Sequence, residues 1–149
     1  MHSLFKLILG ASLVVATGAI PAAAANVNVQ LLNKGADGTA MVFEPSLVKI
    51  DVGDSVTFQP VDKGHDVQSI DGMIPAGATS FKGEINQPFT ETFTVPGVYA
   101  VRCLPHYALG MVGVVVVGGD LSNLDALKAA HNPKLPQQRF DTIFAELAK

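Results

Sequence analysis

The chain has 149 residues, of which 48% are hydrophobic and 15% charged, and it holds one cysteine. That length suits one domain of ordinary size. Its balance of −3 at pH 7 excludes general nucleic-acid binding, which needs a basic footprint, and a lone cysteine excludes an internal disulfide.

Residues 1–24 read as a secretory signal peptide. Lys6 precedes an apolar run over 7–20, too short for a stable bilayer anchor, and Ala22-Ala23-Ala24 supplies a small-residue cleavage site. Cleavage after Ala24 leaves 125 residues (149 minus 24). It removes one of the 10 basic residues, so that 9 stand against 13 acidic ones, a balance of −4. No later segment is long and apolar enough for a transmembrane helix. The domain over 25–149 is therefore expected to be soluble and exported.

Apolar and polar residues alternate over 27–31, as in a half-buried strand. Turn residues fill 33–38. Short strands follow over 41–43, stopped by Pro45, and over 47–51, with a turn at 52–54. The stretch 55–59 alternates again, with Val56 and Phe58 inward. A loop over 60–64 delivers His65, and 65–70 is a further candidate strand. Residues 71–83 are irregular. The strand over 89–95 sets Phe89, Phe93 and Val95 on one face, and Pro96-Gly97 fits the centre of a type II turn.

Over 98–103, Tyr99, Val101 and Cys103 share one face and Val98, Ala100 and Arg102 the other. Arg102 prefers water, so the Cys103 face is expected to be the inner one. The unbroken apolar run 112–117 suits a central strand. Many short strands with regular turns indicate a mainly β sandwich. After Gly118-Gly119 the pattern changes. Residues 121–131 predict a helix that Asn132-Pro133 breaks, and 136–148 a second one, with Pro136 in its first turn. Phe140, Ile143, Phe144 and Leu147 make one apolar stripe on it, expected to pack on the sandwich.

The chemistry concentrates in Cys103-Leu-Pro-His106-Tyr-Ala-Leu-Gly-Met111, with the spacing C-x2-H-x4-M. Pro105 and Gly110 force a compact loop, which can aim Cys103, His106 and Met111 at one point. Thiolate, imidazole and thioether form a soft set that suits copper far better than magnesium or calcium. Blue-copper geometry needs a second imidazole, for which His65 is the best candidate. Taken singly, His65 reads as a surface or capping histidine and Met111 as a core residue; together the four residues reverse that. His131 reads as a surface or helix-end residue, and Met73 carries no signal.

Lys63-Gly-His65-Asp-Val67, joined to the 103–111 loop, closely resembles the cupredoxins, the type 1 blue copper proteins, and among them the pseudoazurins. The resemblance also covers 32–35, 41–45 and 95–99 and spans essentially the whole mature chain. It implies a Greek-key β-sandwich of about eight strands. It implies one copper ion held by His65, Cys103 and His106 in a trigonal set, with Met111 as the distant axial ligand and Asp66 and Pro105 beside them. Two residues depart from the family pattern: Asp66 stands where Asn is common, and Leu104 where a small or hydroxyl residue is frequent. An ionised Asp66 cannot donate a hydrogen bond as Asn does; it is expected to favour Cu(II).

The resemblance further implies a periplasmic electron carrier that cycles Cu(I) and Cu(II) and transforms no substrate. It would take electrons from a donor such as a cytochrome and pass them to a denitrification enzyme such as copper nitrite reductase. Met41, Pro105, Ala108, Leu109 and Gly110 match an apolar docking patch around His106, and Lys34, Lys63, Lys82 and Arg102 a basic ring around it. Three other readings stay open: a copper-binding or storage protein without a redox circuit, an enzyme with Cys103 as nucleophile, and a structural zinc site. The nucleophile leaves Met111 and one histidine unexplained. Zinc takes thioether poorly.

Overall fold

The computed structural model describes residues 23–147. The expected signal peptide lies almost wholly outside the described residues. Eight strands appear: β1 (Asn26–Lys34), β2 (Ala40–Glu44), β3 (Leu47–Ile50), β4 (Ser55–Pro60), β5 (Gln68–Ser69), β6 (Phe89–Thr92), β7 (Gly97–Arg102) and β8 (Val112–Val117). Helices α1 (Leu124–Ala129) and α2 (Lys134–Glu146) follow.

The strands form two sheets, in the orders β2-β1-β4-β6 and β3-β8-β7-β5. Strand β1 pairs parallel with β4, and β3 with β8. The other pairs are antiparallel. Alternation aims the inward residues of each strand into one core. Val29, Leu31, Phe43, Val56 and Phe58 come from the first sheet; Val48, Ile50, Tyr99, Val101, Val115 and Val117 come from the second. Cys103 and Met111 belong to this same buried cluster, so the loop that carries them closes one end of the sandwich.

The second sheet is covered on both faces. Val98, Ala100, Val112, Val114 and Val116 point away from the sandwich and meet Leu124, Leu127, Phe140, Ile143 and Phe144 of the helices. This is why 112–117 is apolar without alternation: β8 is buried along its whole length. The Cys103 face of β7 is the inner one, as expected. Its other face is not a solvent face, because the helices cover Val98 and Ala100, both wholly buried. Met73 is a core residue of this second layer.

Several elements differ from the expected spans. The strand expected over 65–70 is reduced to the two residues of β5, and the one expected over 89–95 ends at Thr92. Gly97 does not form a type II turn with Pro96. It already pairs with Val117 as the first residue of β7, at φ +137, where a Cβ would collide with the Pro75 ring. The first helix is shorter than 121–131, and exposed His131 lies beyond its end. The second begins at Lys134, with Pro136 inside its first turn, where a missing N–H costs nothing.

The stripe on α2 is thus core. Phe140 is wholly buried and stacks on Phe144 at 5.6 Å between centroids. Phe140→Ala should destabilise the protein by about 3–5 kcal/mol. Chemical denaturation of the purified chain measures this, and a loss under about 1 kcal/mol would mean that the helices merely rest on the sandwich.

Candidate metal centre

Cys103 follows directly on β7, and the next eight residues fold back on it. The Cys103 N–H donates to the Met111 carbonyl at 3.1 Å, and the Met111 N–H to the His106 carbonyl at 3.2 Å. A 3-10 turn, Tyr107–Leu109, lies between them and is closed by the Gly110 N–H donating to the Tyr107 carbonyl at 2.8 Å. Gly110 makes this possible at φ +89, a conformation that favours glycine. The compact loop expected from Pro105 and Gly110 is present.

His65 arrives on a second loop. Gly64, at φ +94, donates its N–H to Asn86 Oδ1 at 2.6 Å, and the Asn86 N–H donates to the His65 carbonyl at 2.9 Å. Asn86 itself has φ +65, which Asn tolerates better than most residues. The wholly buried His65 ring is oriented by Asn33, whose Oδ1 lies 3.0 Å from Nε2. Nε2–H donates to that oxygen, which leaves Nδ1 free of a proton and facing the 103–111 loop. The sequence reading missed Asn33 and Asn86. Asn33 lies in a stretch that it read as a turn and Asn86 in one to which it assigned no element, and only the tertiary contact reveals their roles.

The two loops bring three donor atoms together. His65 Nδ1, His106 Nδ1 and Cys103 Sγ form a triangle with sides of 3.1, 3.5 and 3.7 Å. The centre of such a triangle lies about 2.0 Å from each corner, close to metal–nitrogen and metal–sulfur distances of about 2.0–2.3 Å. Among the described residues this is the cluster of His, Cys and acidic side chains able to hold a metal ion. Two imidazole nitrogens and a cysteine sulfur in one triangle, with the wholly buried Met111 packed in the same cluster, fit copper in donor type and arrangement.

Burial pushes the Cys103 thiol up to about 11; the backbone N–H groups of Asp66 and His106 act the other way by stabilising the thiolate. Burial, then the nearby His106, holds His65 below the ordinary histidine range, against the pull of Asp62 and Asp66. A neutral His65 is the ligating form. A cation at the centre of the triangle would offset the cost of a buried thiolate.

Asp66 is buried and accepts two hydrogen bonds: Oδ1 from the Leu104 N–H at 2.7 Å and Oδ2 from Gln68 Nε2 at 3.0 Å. It ties β5 to the 103–111 loop as an acceptor only. Leu104, Pro105, Ala108 and Leu109 are exposed around the half-buried His106, and Leu104 and Leu109 are each about half exposed (48% and 50%). Met41 is half-buried against the cluster that holds Cys103 and Met111. Lys34, Lys63 and Lys82 are exposed. Arg102 is half-buried instead. Its guanidinium lies 5.2 Å from the centre of the Tyr107 ring, and its Nε is buried without a hydrogen-bond partner.

Residues 29–118 match the family model of copper-binding proteins of the plastocyanin/azurin family. The class is therefore that of the cupredoxins, with copper as its cofactor. The chain is 47% identical to a pseudoazurin of Paracoccus pantotrophus over 129 residues, covering 87% of this chain and 88% of the relative. A solved pseudoazurin from Sinorhizobium superposes with a TM-score of 0.80 at 42% identity, covering 83% of this chain and 96% of that one. The pseudoazurin of Methylobacterium extorquens AM1 superposes at 0.78 with 46% identity, covering 82% and 98%. The chain belongs to the pseudoazurin family.

Asp66→Asn keeps the acceptor for Leu104, lets the Gln68 amide turn to present its oxygen, and removes a negative charge beside the site. The reduction potential of the copper-loaded protein should rise by on the order of 50 mV, ~1 kcal/mol for a one-electron couple. Redox titration measures it, and an unchanged or lower potential would mean that Asp66 carries no charge there.

Proposed function

We propose that this chain is an exported, periplasmic one-electron carrier whose copper is held by His65, Cys103, His106 and Met111. The observation that carries this is the triangle of His65 Nδ1, His106 Nδ1 and Cys103 Sγ, set at the end of a rigid sandwich. Copper bound there would supply the Cu(I)/Cu(II) couple. The protein's part is to hold the donors still. Asn33, Asn86 and the hydrogen bonds of the 103–111 loop keep them in one arrangement for both states, so little reorganisation opposes electron transfer. The core cluster excludes water from the sulfur.

Export rests on the signal-peptide reading of 1–24. Among the described residues no helix is long and apolar enough to cross a membrane. As an electron carrier, the domain over 25–149 transforms no substrate. Its acceptor is a protein with an acidic rim around an apolar face, such as copper nitrite reductase, and its donor a redox protein such as a cytochrome. Exposed apolar residues on both sides of His106 in the chain support direct docking over that ligand. The basic residues follow the site closely in sequence and pairing. Lys34 adjoins Asn33, Lys63 precedes Gly64, Lys82 bridges to Gln68, and Arg102 precedes Cys103. Such a ring steers an acidic partner despite the net negative charge.

The nucleophile alternative loses support, because Cys103 is wholly buried and its thiol is pushed up to about 11. Thiol labelling would be slow with or without metal, so it does not separate the readings. The visible spectrum does. Cu(II) added to the mature protein should produce an intense blue band that bleaches on mild reduction and returns on reoxidation. A colourless protein would sink the copper assignment, and a blue one that exchanges electrons only sluggishly would favour storage.

The basic ring has its own test. The rate of electron transfer to the acceptor should fall several-fold as ionic strength rises from about 0.01 to 0.15 M, where the screening length drops from about 30 to 8 Å. Stopped-flow rates indifferent to salt would remove the steering role.

A further inference from the structure

Helix α2 lies outside residues 29–118, the part matched by the family model, yet one of its side chains reaches the metal loop. Arg139 precedes the wholly buried Phe140, which fixes its place on the helix. Its Nη1 donates to the Gly110 carbonyl at 2.9 Å and also to the Met41 carbonyl, and its Nη2 donates to the Ala40 carbonyl at 2.6 Å. One guanidinium therefore joins three main-chain oxygens from two segments far apart in sequence.

Both segments adopt unusual backbone conformations where it touches them. Gly110 has φ +89, and a Cβ there would lie 2.9 Å from Arg139 Nε. Met41 has φ +54, a left-handed conformation that a residue with a side chain keeps only where its surroundings hold it. Gly110 directly precedes Met111, and Met41 packs on the cluster that contains Cys103 and Met111.

We propose that Arg139 is a positioning residue of the metal centre: from the C-terminal helix it locks the peptide before Met111 and the backbone of Met41. The proposal rests on the copper assignment above. The planar fork suits this role, since it spans several carbonyls with pre-set donors where a lysine offers a single point charge. Burial lowers the Arg139 pKa, and Asp37 opposes that shift. The group stays charged, as arginine does in proteins, so its hydrogen bonds to the carbonyls are charge-assisted. Helix packing through Phe140, Ile143 and Phe144 does not depend on it. Its loss should therefore loosen the loop and leave the helix in place.

The test compares Arg139→Met, Arg139→Lys and the exposed control Gln138→Ala with the parent. In the metal-free proteins, amide exchange should quicken at least ~tenfold at Gly110 and Met111 in Arg139→Met, with the α2 amides unchanged. In the copper-loaded proteins, Arg139→Met should change the Cu(II) electron paramagnetic resonance spectrum and the reduction potential. Arg139→Lys should fall between, and Gln138→Ala should match the parent. Parental exchange and spectrum in Arg139→Met would overturn the proposal, as would exchange that quickens evenly along the chain. If Arg139→Met does not fold, Arg139→Lys carries the same two readouts. Faster exchange in a protein that takes up no copper would keep the clamp and reject the copper assignment, so the two failures are distinguishable.

Discussion

A buried sulfur that must become a thiolate is the constraint on which the rest of this structure depends. Cys103 has no solvent exposure, and without a cation beside it the thiol is the favoured form. His65, Cys103 and His106 would hold a metal ion that reverses that preference, provided these side chains stay where the protein puts them. Two loops that differ in every other respect are therefore pinned by specific hydrogen bonds. Asn33 orients His65, Asn86 holds both sides of Gly64-His65, and Asp66 grips the amide of Leu104. None of these is a ligand, yet each fixes a degree of freedom that the ion would otherwise have to restrain.

The rigidity beneath the loops comes from burial in two layers. The sandwich core stops one side of β7 and β8 from moving, and the helices stop the other. Cys103 extends from a strand packed on both faces, so its position inherits the stiffness of a close-packed interior. Arg139 adds a link in the same direction, from the outermost layer back to the loop that ends in Met111. The site is exposed only at its rim. There His106 is half-buried, and its chain neighbours Leu104, Pro105, Ala108 and Leu109 are exposed.

Much of this was legible in the chain itself. Alternation located β1 and β4, and the unbroken run 112–117 identified a strand fit for the centre of a sheet. The spacing C-x2-H-x4-M between Pro105 and Gly110 announced a compact loop with soft donors. The stripe on α2 was readable because helical periodicity persists over its thirteen residues. Where the reading erred, the reason is physical. The covering of Val98 and Ala100 depends on helices that follow in sequence but lie over β7 in space. Beyond β5 the Ile70 N–H still donates to the Ala100 carbonyl, and beyond β6 the Phe93 N–H to the Asp54 carbonyl, so the chain leaves both ladders while neighbours are still in reach, which strand alternation does not encode.

By itself, then, the sequence determined the type of chemistry. One thiol, an imidazole three residues on and a thioether five residues further admit few metals, whatever the fold. It also determined that the chain would make short strands and two terminal helices, since those patterns are local. Tertiary structure alone decided that His65, the sequence's best candidate, meets Cys103 and His106, how it presents Nδ1, and that Arg139 reaches the loop from the far layer. Those outcomes turn on side chains separated by 32 to 99 positions meeting within hydrogen-bond distance, and no local pattern encodes such a meeting.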